Sequence, residues 1–190
     1  MEELNKAYHI ATTGRRGPVL IDLPMNIQRS EVENPVYDMT FEDKHTDAAA
    51  AQQAADTILE ALEQAKRPVI NAGNGIRIGA AHDVFMRVVE KLGIPVVTGA
   101  DSIDCIYDEH PLYIGKGGNV GDRPGNFAIQ NSDLVLSLGS RLSFRQVGYR
   151  FTTWAREAYV IVNDIDAEEL KKPTLHVDMP VHADVKDLPV

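Results

Sequence analysis

The sequence predicts an α/β fold organised on a doubly wound, mostly parallel sheet, and three observations carry that prediction. Apolar runs at residues 69–70, 96–97, 134–138 and 160–162 are continuous rather than alternating, as expected of strands covered on both faces. Between the first two, Ala81, Val84, Phe85, Val88, Val89 and Leu92 recur at the spacing of an amphipathic helix. The runs then close in glycine or a polar residue, at Ala72-Gly73, Thr98-Gly99, Gly139 and Asn163-Asp164. Strands alternating with helices place a parallel sheet between two helical layers, a Rossmann-like arrangement.

Each element follows in order. Leu4, Ala7, Tyr8, Ile10 and Ala11 have the pattern of the end of a helix, closed by Gly14. Residues 17–24 read as a short buried strand between prolines. No helix follows to make a unit with it, so it reads as the last strand of a different domain. Residues 25–45 are polar and without period, which reads as a linker at a domain boundary. Thr46 or Asp47 caps a helix carrying Ala51, Ala54, Ala55, Ile58, Leu59 and Leu62, which ends near Lys66 because Pro68 follows. The helix at 81–92 is closed by Gly93. Residues 100–125 are rich in Gly, Asp and Pro and read as one long structured loop; residues 127–131 form a short helix. Trp154-Ala155 reads as part of a helix, residues 167–170 as a helical turn, and residues 174–177 and 181–184 as short edge strands.

Composition narrows the function. The chain has 190 residues, 19 basic and 28 acidic, for a net charge of −9, so phosphate-driven nucleic-acid binding is not expected. No apolar run reaches the roughly 18 residues needed to span a membrane, and the N-terminus lacks the apolar core of a signal peptide. Cys105 has no partner for an internal disulfide, which fits a reducing, cytoplasmic setting, and it reads as a partly buried small apolar residue. The six histidines show no ligand spacing, and Asp101, Asp104 and Asp108 read as a solvated loop, so no metal site is expected.

The chemistry-bearing stretch is the turn after residue 72. Gly73, Gly75 and Gly79 make G-x-G-x-x-x-G, one residue longer than the dinucleotide fingerprint. Glycine there permits close approach of a ligand, and a helix start offers free N–H groups to phosphate; a tight turn with no ligand explains the spacing equally well. Ligands of parallel sheets bind beyond the carboxyl ends of the strands. The glycine turn, residues 98–104, residues 118–123, Arg141, Arg145 and Asp164 are therefore expected on one rim.

Several short motifs, in order, resemble the acetolactate synthase type of thiamine-diphosphate enzyme. They are Arg67-Pro68-Val69 with its glycine turn, Asp108-Glu109-His110-Pro111-Leu112, Gly118 through Gly121, Asn131-Ser132-Asp133-Leu134, Gly139-Ser140-Arg141, Asp164-Ile165-Asp166 and His182-Ala183-Asp184-Val185. The resemblance covers essentially the whole chain. It implies that residues 1–24 are the C-terminal tail of an upstream pyrimidine-binding domain, that 25–45 are a linker, and that 46–187 are the family's central domain. It implies further that the parent protein is an enzyme of branched-chain amino-acid type chemistry. Such an enzyme decarboxylates a 2-oxo acid such as pyruvate and transfers the product to an acceptor, using thiamine diphosphate and Mg²⁺ held by other domains. The chain contains no Gly-Asp-Gly motif for that purpose and begins after the family's cofactor-activating glutamate, so the fragment itself is expected to be non-catalytic. The implied partners are the other domains of the same polypeptide and further copies in a homo-oligomer.

In acetolactate synthases the central domain binds FAD. The resemblance places cofactor contacts at Gly73, Asn74, Gly75, Thr98, Gly118, Gly121, Gly139, Arg141, Arg145 and Asp164, for FAD or another adenine nucleotide. Against that, Asp101 and Asp104 stand where flavin-binding members are apolar, Ser143-Phe144 replaces paired aspartates and Asn119-Val120 replaces a Met-His pair. A free-standing Rossmann-type nucleotide-binding module and a ligand-free scaffold are the alternatives.

Overall fold

The computed structural model describes residues 2–35, 40–41 and 47–188. Thr46 as a helix cap, and part of the linker expected at 25–45, lie outside them. The chain divides into two compact units, residues 1–45 and 46–190.

In the first unit, α1 (Glu2–Thr12) is the expected helix, and Gly14 follows it with φ +55°. Residues 17–24 correct the sequence reading: they are neither buried nor paired into a strand, and Leu20 is 95% exposed. The segment has a strand's composition, but among the described residues of its unit there is no other strand to pair with, and an isolated strand has nothing to hold it. Residues 25–45 are also not without structure, because Met25–Gln28 makes one helical turn, α2, after Pro24.

The second unit is built on six parallel strands in the order β3-β2-β1-β4-β5-β6. They are β1 (Pro68–Ala72), β2 (Val96–Thr98), β3 (Tyr113–Lys116), β4 (Leu134–Leu138), β5 (Tyr159–Asp164) and β6 (Met179–His182). Alternate residues of the apolar runs serve opposite faces. Ile70, Val96, Leu134, Leu136 and Ile161 pack with Ile58 and Leu62 of α3 (Ala48–Gln64) and with Phe85 and Val89 of α5 (His82–Leu92). Val69, Val97, Val135, Val160 and Val162 pack on the other face with Ile129 of α6 (Arg123–Asn131), Val147 of α7 (Phe144–Val147) and Trp154. Branched residues on both faces are what make the runs continuous in sequence.

The helices start and stop for local reasons. The Asp47 carboxylate accepts from the Ala49 and Ala50 N–H groups and caps α3. Gly93 ends α5 in the left-handed region at φ +66°. The helix expected straight after the glycine turn is broken in two: α4 (Gly75–Ile78) makes one turn, and α5 starts afresh after Ala80, whose φ is +55°.

Three more expectations are corrected. The loop at 100–125 contains β3, an edge strand hidden by its glycine and lysine. Trp154 and Ala155 are not helical; a 3₁₀ turn ends at Thr153, and both side chains are instead buried under the sheet. Residues 174–177 form no strand, and β6 alone occupies that edge, pairing Ile161 with Met179 and Asp164 with His182.

No helix among the described residues is long and apolar enough to cross a membrane.

Candidate functional site

Reversal of strand order in the sequence 3-2-1-4-5-6 falls between β1 and β4, and the crevice at that point is the natural ligand position in an open parallel sheet. The glycine turn after β1 and the Gly139 turn after β4 form its walls. They touch each other. A Cβ on Gly73 would come within 2.5 Å of Ser140 Cα, and one on Gly75 within 2.7 Å of Gly139 Cα. Glycine at 73 and 75 is thus required by the chain's own backbone. Their N–H groups are also engaged: Gly73 donates to the Leu138 carbonyl and Gly75 to the Gly139 carbonyl, both at 2.9 Å. Asn74 caps α4 through its backbone carbonyl, which accepts from Arg77 and Ile78.

The third glycine segment follows the same rule. Gly118 donates to Asn126 Oδ1 at 2.9 Å, and Gly121 donates to the Gly118 carbonyl at 3.0 Å. A Cβ on Gly118 would lie 2.9 Å from Gln146 Cα, and one on Gly121 2.6 Å from the Gly117 carbonyl carbon. Gly139 donates to the Asn163 carbonyl and adopts φ +57°. The Thr98 hydroxyl lies 3.5 Å from the Tyr113 hydroxyl. These elements meet at the carboxyl edge as the sequence predicts, and what fills the spaces between them is protein.

Arg141 and Asp164 belong to a different hollow, at the ends of β4 and β5. Ser140, Arg141, Leu142, Asp164, Glu169 and Lys172 line a small hollow there. The Glu169 carboxylate, largely buried, is bridged by Arg141 Nε and Lys172 Nζ, each at 2.8 Å. Lys172 also donates to the Arg141 carbonyl. The buried Asp164 accepts from the Asp166 N–H at 2.9 Å. Arg145 is exposed on α7 beside Phe144, whose ring stacks on Tyr149 at 5.3 Å, and its carbonyl accepts from the Asn119 N–H at 2.8 Å.

The acidic loop after β2 is partly neutralised. Arg77 of α4 reaches across to Asp104, with Nε 3.0 Å from the carboxylate and a further hydrogen bond to the Asp104 carbonyl. Cys105 beside it is fully buried, more deeply than the sequence suggested; burial first, and the Asp104 charge second, push its thiol up to about 11, so it stays uncharged near neutrality.

Sequence reasoning placed Asp122 or Arg123 near the cap of α6, and the structure makes Asp122 the cap. Sequence reasoning missed the other residues that organise the rim. Asp122 accepts from Lys116 and Gly125, tying β3 to α6. Buried Ser102 donates to the Ala72 carbonyl and accepts from the Gly99 N–H. Gln146 donates to Asn71 Oδ1 at 2.9 Å, and Asn71 donates to Ser137 Oγ at 3.0 Å, all three buried. Asp122 had a legible signal, since an acidic residue before Arg123-Pro124 is a cap. A lone glutamine has none.

The Gly73 and Gly75 N–H groups, and the space beside these two glycines, are used within the domain. Among the described residues no group of three or more His, Cys, Asp or Glu is placed to hold a metal ion.

Comparison with known proteins gives a consistent picture. Residues 55–188 match the model of the thiamine pyrophosphate enzyme, central domain. The chain is 34% identical over 189 residues to a probable acetolactate synthase large subunit of Methanococcus aeolicus, covering 97% of this chain and 31% of that protein. It is 34% identical over 186 residues to the acetolactate synthase large subunit of Lactococcus lactis, covering 96% and 32%. With the Corynebacterium glutamicum acetolactate synthase large subunit it shares 32% over 190 residues, covering 98% and 30%. The chain spans about a third of the length of these curated relatives.

Proposed function

The chain belongs to the thiamine pyrophosphate enzyme central-domain family, and from that membership we propose that it is the middle, non-catalytic domain of an acetolactate-synthase-like enzyme. In this reading residues 1–24 end an upstream pyrimidine-binding domain and residues 46–187 space that domain from a third. The parent decarboxylates a 2-oxo acid such as pyruvate, with thiamine diphosphate and Mg²⁺ held outside this chain, as a cytoplasmic homo-oligomer. The observation that carries a spacing role is the filled rim: Gly73 and Gly75 admit Gly139 and Ser140, and their N–H groups are bonded within the domain.

A second reading, an adenine nucleotide or FAD held by this domain, draws on the hollow at Arg141 and Asp164, where a buried carboxylate suits a ribose hydroxyl.

The protein encoded by the complete reading frame tests both. Expected outcomes are pyruvate decarboxylation that depends on added thiamine diphosphate, none from residues 1–190 alone, and no thermal stabilisation of either by millimolar FAD or ADP. Activity without thiamine diphosphate sinks the family role. Stabilisation by nucleotide, abolished by Asp164→Ala, establishes the second reading.

A further inference from the structure

The chain leaving β4 turns back over the carboxyl ends of β1, β2 and β3 before it returns to β5. We propose that this connection, with α7 at its centre, is a lid closed over the crevice between β1 and β4, and that Gln146 is its latch.

Gln146 is 8% exposed and donates Nε2 to Asn71 Oδ1 at 2.9 Å. Asn71 is fully buried in β1 and donates to Ser137 Oγ of β4 at 3.0 Å, so the latch ties the lid to both walls of the crevice. The room for it is made by glycine. A Cβ on Gly99 would stand 2.9 Å from Gln146 Oε1, and one on Gly117 2.8 Å from Nε2. The Gln146 side chain thus reaches the ends of β1, β2 and β3 together.

Leu142, Val147, Trp154 and Ala155 of the same connection are buried against the sheet, and the latch acts above that apolar floor. A helix of four residues has no stability of its own and depends on its anchors. Within α7 the buried apolar contact is Val147, whereas Phe144 and the nearby Tyr149 face outward at 46% and 76% exposure. Asn119 supplies a further tie, its N–H donating to the Arg145 carbonyl at 2.8 Å and its side chain to the Phe144 carbonyl at 3.3 Å. Leu142 at φ +50° and Gly148 at φ +77° bracket the segment, strained or permissive positions of the kind that absorb a hinge motion. A buried amide that loses its partner is costly, so the Gln146–Asn71 bond decides whether the lid lies flat.

Hydrogen exchange on the protein from the complete reading frame tests the latch. Gln146→Leu keeps the volume and removes the hydrogen bond. The expected result is that the Asn119, Gln146, Val147 and Gly148 amides exchange together, roughly five- to tenfold faster, while the β4–β5 ladder is unchanged. Asn71→Ala removes the same bond from the other side and is expected to raise the same four amides. In the double variant their rates should not exceed the faster single variant, because both substitutions break one interaction. Unchanged protection at Asn119 and Gly148 in whichever single variant folds overturns the latch, as does additivity in the double variant. The proposal uses the filled rim as its premise, and that premise fails separately: protection of Asn119 by millimolar ADP in the unsubstituted protein removes it whatever the exchange rates of the variants.

Discussion

Asp133 joins the end of α3 to the sheet. Its carboxylate accepts from the Lys66 and Arg67 N–H groups, each at 2.8 Å. Burial works against ionisation here, but these two donors and the Arg67 charge outweigh it and hold the carboxyl below its ordinary value of 3.8. A folded-state pKa below the unfolded one contributes stability that is complete above the unfolded value and lost as pH falls through the folded value. The urea midpoint of the chain is therefore expected to fall below about pH 4, and Asp133→Asn to show a shallower fall over the same range. The glycines offer a second residue-scale test. Gly93 has positive φ but open space around it, so Gly93→Ala is expected to cost about 1 kcal/mol. At Gly73 a methyl group meets the backbone of Ser140, so Gly73→Ala is expected to cost at least about 3 kcal/mol or prevent folding. Equal losses in urea unfolding would contradict the claim that backbone crossing, not conformation, demands glycine at 73.

At the scale of elements, α3 hangs on one cap and one apolar stripe. Asp47→Ala removes the acceptor for two N–H groups and is expected to cost about 1 kcal/mol in urea unfolding. Elements whose residues face one kind of surroundings were legible from sequence. β1, β4 and β5 are apolar on both faces, and α5 keeps its stripe from Phe85 to Val89. The others depend on what lies beside them. β3 is an edge strand of Tyr-Ile-Gly-Lys that pairs only because Val96 and Val97 are there to receive it. Residues 174–177 carry strand-forming residues but no partner, since β6 has the edge. Trp154 has no helical period to reveal it, because it is buried by a loop. The rim divides in the same way: the glycine turn could be found from its spacing, but the neighbours that fill it come from a turn more than sixty positions away, and Gln146 is ordinary in sequence.

At the scale of the molecule, the strand order has a consequence for how the chain is made. β1 sits at the middle of the sheet, yet one of its neighbours, β4, is separated from it by the whole of α4, α5, β2, β3 and α6. Asp133 meets Lys66 across 67 positions. A chain ending at residue 132 keeps β1, β2 and β3 but leaves Val69 and Ile70 with a bare side, and it is expected to lack cooperative thermal unfolding and to aggregate, whereas a chain ending at 188 unfolds in one transition. On the ribosome the same arithmetic runs in time. Emerging residue by residue, the central strand waits for β4 with its apolar edge open, so the interval between the two is when the nascent chain most needs a chaperone, and slowing translation there should lower the yield of folded protein.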